Sequence, residues 1–169
     1  MKIFITGNAG SGKSTLGRQI ASSQNLQYYS LDKIVWKKNW QKTSADEKKS
    51  KIHELLIKSD WVIDGVDYDT LESADIIVFL DIARRICFYR AVKRNFKYLF
   101  KSRPELPANC PEIKIFPKLV QIIWNFPKRI RPKILIEKTK RSSDSFIHIK
   151  NNKQLQAYLI QIDSVKYRY

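Results

Sequence analysis

Acidic side chains are scarce where basic ones are dense. Residues 84–141 hold 17 Lys/Arg against only Glu105, Glu112 and Glu137, a net of +14, while the other 111 residues hold 15 against 13, a net of +2. Nearly all of the +16 formal charge therefore belongs to one contiguous segment, which suits a surface facing polyanions, either nucleotide phosphates or a nucleic-acid backbone. Cysteine is nearly absent. Cys87 and Cys110 have no metal-binding spacing and form no disulfide framework, so they read as buried or idle thiols and a reducing cytoplasm is the expected compartment. Apolar runs are short: Ile76 to Leu80 is far below the length that spans a bilayer, which excludes a membrane helix. No low-complexity tract or internal repeat is present, and because a β-strand is expected from residue 2 no signal peptide is expected. At 169 residues, one domain over 1–169 is the expectation.

Glycine is also rare, and its placement is informative. Three of the five glycines lie between positions 7 and 12, in Gly7-Asn8-Ala9-Gly10-Ser11-Gly12-Lys13-Ser14, with Thr15 behind. The stretch fits G-x-x-x-x-G-K-[ST], the phosphate-binding loop. Its glycines let successive backbone N–H groups turn inward into a concave anion site. The helix that follows adds its positive end to the same spot. Lys13 is placed to reach the β- and γ-phosphates of ATP, and the Ser14 hydroxyl to ligate Mg²⁺. The context agrees: Lys2 to Thr6 is rich in β-formers, and Leu16, Ile20 and Ala21 recur at helical spacing.

Strands and helices alternate along the rest. Leu26–Leu31 reads as a strand ending at Asp32, followed by a loop with Trp36 and Trp40, then a helix over about 45–58 capped by Ser44 or Asp46. Trp61-Val62-Ile63 is a strand ending in Asp64-Gly65, and Asp75–Leu80 one ending at Asp81. A helix over 84–101 places Phe88, Val92, Phe96 and Leu99 on one face and Arg90, Arg94, Lys97 and Lys101 on the other. Ser102 to Pro111 is an irregular loop, residues 116–126 a helix, and a further helix starts at Pro132. Phe146–Ile149 is the last strand, and Leu155, Tyr158, Leu159 and Ile162 mark a closing helix. Unalternating strands between helices predict an α/β class with a parallel sheet, whose ligands gather beyond the carboxyl ends of the strands. The phosphate loop, Asp32, Asp64 and Asp81 all fall there.

These motifs resemble the adenylate-kinase-like P-loop kinases, most closely the topology modulation protein (FlaR-like) branch. The residues that carry the resemblance are the loop at 7–15, Leu31-Asp32-Lys33-Ile34-Val35-Trp36 with Trp40, Trp61-Val62-Ile63-Asp64-Gly65, and Phe79-Leu80-Asp81 with Arg90 and Arg94. Arg103-Pro104-Glu105, Cys110-Pro111-Glu112 and Trp124-Asn125-Phe126-Pro127 complete it. The resemblance implies a P-loop three-layer sandwich with a five-stranded parallel sheet, like adenylate and shikimate kinases. It also implies an acceptor-binding region at about 32–60 and a helical basic lid at about 95–131. Arg90 and Arg94 match the Arg-x-x-x-Arg that holds ATP at the base of that lid. Asp64 matches the acid that binds the Mg²⁺ shell, and Asp32 an acid that contacts the acceptor hydroxyl. Val66-Asp67 stands where the branch usually has Asn-Tyr, next to the acceptor.

Each position has a plainer alternative. Asp64 could be an Asp-Gly turn, Asp32 a helix cap, and Asp81 a cap or turn residue. Arg90 and Arg94 could be a solvated helix face. Arg103, Arg129 and Arg131 are lid candidates. Trp36 and Trp40 either stack on an acceptor ring or cover the core edge, while Trp61 and Trp124 read as core. His53 and His148 lack partner spacing and read as structural or surface residues. The expectation is an ATP- and Mg²⁺-dependent kinase acting on a small hydroxyl- or phosphate-bearing acceptor, with Lys13, Asp32, Arg90 and Arg94 in the chemistry. Residues 7–15 with both arginines would hold ATP, and Ser14 with Asp64 the metal. The rivals are a nucleotide-switched nucleic-acid-binding regulator and an ATPase without a dedicated acceptor. No recognition signature for nucleic acid is visible.

Overall fold

A computed structural model of the chain describes residues 1–97 and 115–166. Five strands, β1 (Lys2–Gly7), β2 (Tyr28–Ser30), β3 (Trp61–Asp64), β4 (Ile76–Leu80) and β5 (Phe146–Ile149), form one sheet in the order β2-β3-β1-β4-β5. Every pairing is parallel. The helices are α1 (Lys13–Ser23), α2 (Asp32–Val35), α3 (Ala45–Leu56), α4 (Tyr68–Ser73), α5 (Arg84–Lys97), α6 (Phe116–Arg129), α7 (Arg131–Thr139) and α8 (Asn152–Lys166).

The central strands are apolar on both faces because helices cover both. Successive side chains of a strand point to opposite faces. Ile3, Ile5, Val62, Val78 and Leu80 pack with residues of α1, α5, α6 and α8. Phe4, Trp61, Ile63, Ile77 and Phe79 pack in a second core with Ile52, Leu71 and Ile134 on the other side. The result is the expected three-layer sandwich. Trp61 is fully buried.

This topology fixes where a ligand binds. After β1 the chain enters α1 on one face; after the neighbouring β3 it enters α4, which packs on the other. Neighbouring strands whose connections depart to opposite faces leave a crevice at their carboxyl ends. Gly7 ends β1, and Asp64 ends β3 and lies opposite Ile5 in register.

The structure corrects several expectations. The second strand is shorter than 26–31, and Asp32 opens a one-turn helix instead of a loop. A further short helix, α4, is capped by the Asp67 side chain, which accepts from the Thr70 amide. In α5 the buried ridge is Cys87, Ala91 and Asn95; of the expected stripe Phe88 is half-buried against the core and Phe96 is not part of it. Small residues are needed there because α5 lies directly against the phosphate loop, and Phe96 is turned out with 76% of its surface exposed. Helix α6 continues through Pro127 to Arg129, and Pro132 stands in the first turn of α7. Leu99, Lys101, the loop from Ser102 to Pro111, and Arg103, Glu105, Cys110 and Glu112 lie outside the described residues. Among the described residues no helix is long and apolar enough to cross a membrane.

Candidate active site

The phosphate loop is built from positive-φ glycines held against a neighbour. Gly10 has φ 81°, and a Cβ there would stand 2.3 Å from the Cys87 carbonyl oxygen of α5. Only glycine allows both that backbone and that approach. Gly12, also left-handed at φ 103°, precedes α1, which has no side-chain cap and no acid in its first turn. The uncapped amides and the helix dipole are thus left to an anion.

Asn8, a freely variable position of the motif, ties the loop together. Its side-chain amide donates to the Ile123 carbonyl of α6 (2.9 Å), and its Oδ1 accepts from the Ala9 amide (2.8 Å). Its own carbonyl accepts from Lys13 Nζ (2.8 Å) and from the Ser11 amide (3.2 Å). Burial pushes the Lys13 ammonium down from its ordinary value, opposed by the Asp64 and Asp32 carboxylates. A desolvated ammonium in such a cradle gains most from a bound anion.

Asp64 is 3% exposed and accepts two hydroxyl hydrogen bonds, from Ser14 Oγ to Oδ2 (2.6 Å) and from the Tyr28 hydroxyl to Oδ1 (3.0 Å). It is more than a turn residue. Hard divalent cations take oxygen ligands, and Mg²⁺ typically takes one or two protein oxygens together with nucleotide phosphates. The Ser14–Asp64 pair fits that pattern. Among the described residues no group of three or more His, Cys, Asp or Glu gathers as a self-sufficient metal cage.

Two arginines of α5 flank the loop. Arg90 Nη1 donates to the Ser11 carbonyl (3.3 Å) and Nη2 to Asn152 Oδ1 (2.7 Å), while Arg94 lines the cavity above the loop. This cavity, of about 590 Å³, runs from Gly10, Lys13 and Ser14 past Asp32 and Gly65 to Trp36 and Trp40. Asp32 is the first residue of α2 rather than its cap, so its carboxylate is not spent on the helix end. Trp36 and Trp40 meet edge to face at 5.2 Å. Lys118 Nζ of α6 lies 5.0 Å from the Trp36 ring centroid, so α6 walls the cavity opposite α2. Thr15 and Arg129 also line it.

Arg131, Asp81 and Trp124 behave unlike their expected roles, while His148 is structural, as expected. Arg131 is turned away from the cavity, its Nε donating to both oxygens of Asp81 (2.9 and 3.0 Å). His148 Nε2 meets Asp81 Oδ2 at 2.9 Å, and the ring stacks on Phe79. Asp81 therefore locks α7 to the ends of β4 and β5. Trp124 is 43% exposed, not core, with the Arg84 guanidinium 5.3 Å from its ring centroid. Sequence reading named Asn8 only as part of the loop and missed Tyr28, the tie from Asn8 to α6 and the Asp81 cluster; no local spacing links those partners.

No protein-family model matches the chain, and no curated protein matches it significantly. Solved structures do. A shikimate kinase from Bacteroides thetaiotaomicron aligns with TM-score 0.57 and 19% identity over 98% of this chain and 97% of its own. One from Acinetobacter baumannii, solved in complex with shikimate, aligns with TM-score 0.58 and 16% identity over 99% and 95%. The fold is that of the shikimate kinases. The likeness spans essentially the whole of each chain, so the sheet and its flanking helices belong to the shared architecture.

Proposed function

We propose that the protein is a P-loop phosphotransferase that moves the γ-phosphoryl group of ATP to a small hydroxyl- or phosphate-bearing acceptor. One observation carries the reading: a single cavity joins the phosphate loop to Asp32, Trp36 and Trp40, so donor and acceptor would share one space. A plain ATPase has no need of the far half.

In this reading Gly7, Asn8, Ala9, Gly10, Ser11, Gly12, Ser14 and Thr15 wrap the phosphates, mostly through backbone amides. Lys13 swings from the Asn8 carbonyl to the β- and γ-phosphate oxygens. Ser14 and Asp64 hold Mg²⁺, which when bound neutralises charge on the phosphate oxygens. Asp32 accepts the proton of the acceptor hydroxyl as its oxygen attacks phosphorus. Arg90 and Arg94 stabilise charge developing on the transferring group, a role for which a planar, always-protonated guanidinium is suited. Residues 1–169 would act as one catalytic domain, with an acceptor region at about 32–60 and a basic lid at about 95–131. The shikimate-kinase fold and the FlaR-like motifs both support a kinase of this group; the acceptor-side Val66-Asp67 argues that the acceptor differs from that branch.

The test is a screen of nucleosides, nucleotides and hydroxylated metabolites for transfer of labelled phosphate from ATP in Mg²⁺. Transfer to a defined acceptor, abolished in Asp32→Asn, is expected. Equal ATP turnover whatever is added would refute a dedicated acceptor.

A further inference from the structure

Helix α5 divides its side chains between two duties. Arg90 and Arg94 turn toward the phosphate loop and its cavity, and Cys87, Ala91 and Asn95 are buried. At 100° per residue, Arg85, Ile86, Tyr89, Lys93 and Phe96 fall within an arc of about 100° on the outer side. All five are exposed, Ile86 at 44%, Tyr89 at 67% and Phe96 at 76%. Trp124 of α6, 43% exposed, meets the flank of α5 next to its buried ridge rather than this arc, with Phe88 edge-on at 5.5 Å and the Arg84 guanidinium 5.3 Å from its ring centroid. Residues 84–97 and 116–129 contain six and three Lys/Arg, nine together, and no Asp or Glu.

We propose that the outer face of α5 binds single-stranded nucleic acid. Exposed rings interleaved with cations are what a single strand requires: unpaired bases stack on the aromatics while lysines and arginines track the phosphates. A duplex offers no free base faces, so its share would be electrostatic alone. A membrane-surface helix segregates its apolar residues from its cations, whereas here both occupy the same arc. A second copy of the chain is disfavoured by charge, since an isologous contact would set Arg85 and Lys93 against their own like on a body of net +16. This face turns away from the nucleotide cavity, so the proposal stands or falls separately from the phosphotransferase reading.

The probe is a fluorescently labelled oligothymidylate of about 20 nucleotides, longer than the usual single site. Its anisotropy is followed in titrations of the full chain across a range of salt concentrations. Tight binding at low salt, with log affinity falling linearly with log salt, is expected. Tyr89→Ala with Phe96→Ala should weaken binding by about tenfold or more at unchanged salt slope. Arg85→Ala with Lys93→Ala should reduce the slope by about 1.4, roughly 0.7 for each cation. Both double variants should melt like wild type, the Arg85/Lys93 double variant should keep wild-type ATP binding, and Lys13→Ala should bind the oligonucleotide like wild type. Absence of binding at low salt overturns the proposal, as does equal affinity for a duplex of the same length. So does binding that neither double variant alters. Preferential capture by phosphatidylserine vesicles, lost in the same variants, would assign the face to a membrane instead; concentration-dependent dimers lost in them would assign it to self-association.

Discussion

The Tyr28 hydroxyl donates to Asp64 Oδ1 at 3.0 Å, across the strand pair β2–β3, and so fixes the carboxylate whose other oxygen takes the Ser14 hydroxyl. Burial raises the Tyr28 pKa, with the nearby Asp64 charge adding to it, so the phenol stays protonated and remains a donor. Gly17 of α1 exists for this ring: a Cβ there would stand 2.7 Å from a Tyr28 ring carbon.

Tyr28→Phe keeps the ring and removes the donor. Leaving a buried acceptor one partner short costs about 1–3 kcal/mol, and the variant should unfold at correspondingly lower denaturant. With Asp64 held by Ser14 alone, half-saturation by Mg²⁺ should shift upward while turnover at saturating Mg²⁺ changes less. Gly17→Ala should be destabilising despite alanine's better helix propensity, by roughly 1–3 kcal/mol from forced repacking. A stabilised Gly17→Ala variant would show that the ring is not confined.

Gly10→Ala addresses the loop itself. A methyl group 2.3 Å from the Cys87 carbonyl, on a backbone at φ 81°, forces the loop and α5 apart. Backbone strain of this kind costs on the order of 1–3 kcal/mol. Equilibrium denaturation should report at least that loss, and nucleotide affinity should fall with it. Retention of both would mean that the contact between loop and helix is not tight.

The Asp81 cluster predicts a pH dependence. Burial lowers the His148 pKa from 6.5, as do Lys138 and Lys150, and the Asp81 carboxylate only partly offsets them. The folded state therefore binds a proton at this site less readily than the unfolded chain. Stability is full above 6.5 and declines as pH falls from there through the lowered folded value. Asp81 acts in another range: burial raises its pKa, but Arg131 and His148 together hold it below 3.8, so its contribution is lost only in stronger acid. Thermal melts at pH 7.5 and 5.5 should thus differ, and His148→Gln should narrow the difference. An unchanged difference in that variant would assign the acid sensitivity elsewhere.

What the sequence made legible was what is local. The phosphate loop lies within eight consecutive residues, and each glycine, Lys13 and Ser14 is placed by the chain itself. Asp64 was readable as a strand-end residue because the strand before it is short and apolar, whereas Asp32 was read the same way although β2 stops at Ser30 and Asp32 opens α2. Side chains brought together by the sheet were not: Asp81 meets Arg131 across 50 residues and His148 across 67, and no spacing rule links them. The α5 face was misjudged for a related reason. Hydrophobic periodicity assumes that the largest apolar residues face inward, whereas the neighbour here is a glycine-rich loop that admits only Cys87 and Ala91. Phe96 is left on the surface of α5, while Phe88 still packs against the core.

The most direct test of the account is nucleotide binding by Lys13→Ala, measured by calorimetry with ATP in Mg²⁺ against the wild-type chain. The wild type should bind one ATP per chain. The variant should bind at least about tenfold more weakly, since a lost charge-assisted hydrogen bond costs roughly 1.5–3 kcal/mol. Equal affinity in the two proteins would mean that the ammonium cradled by Asn8 does not engage the phosphates, and the phosphotransferase reading would fail with it.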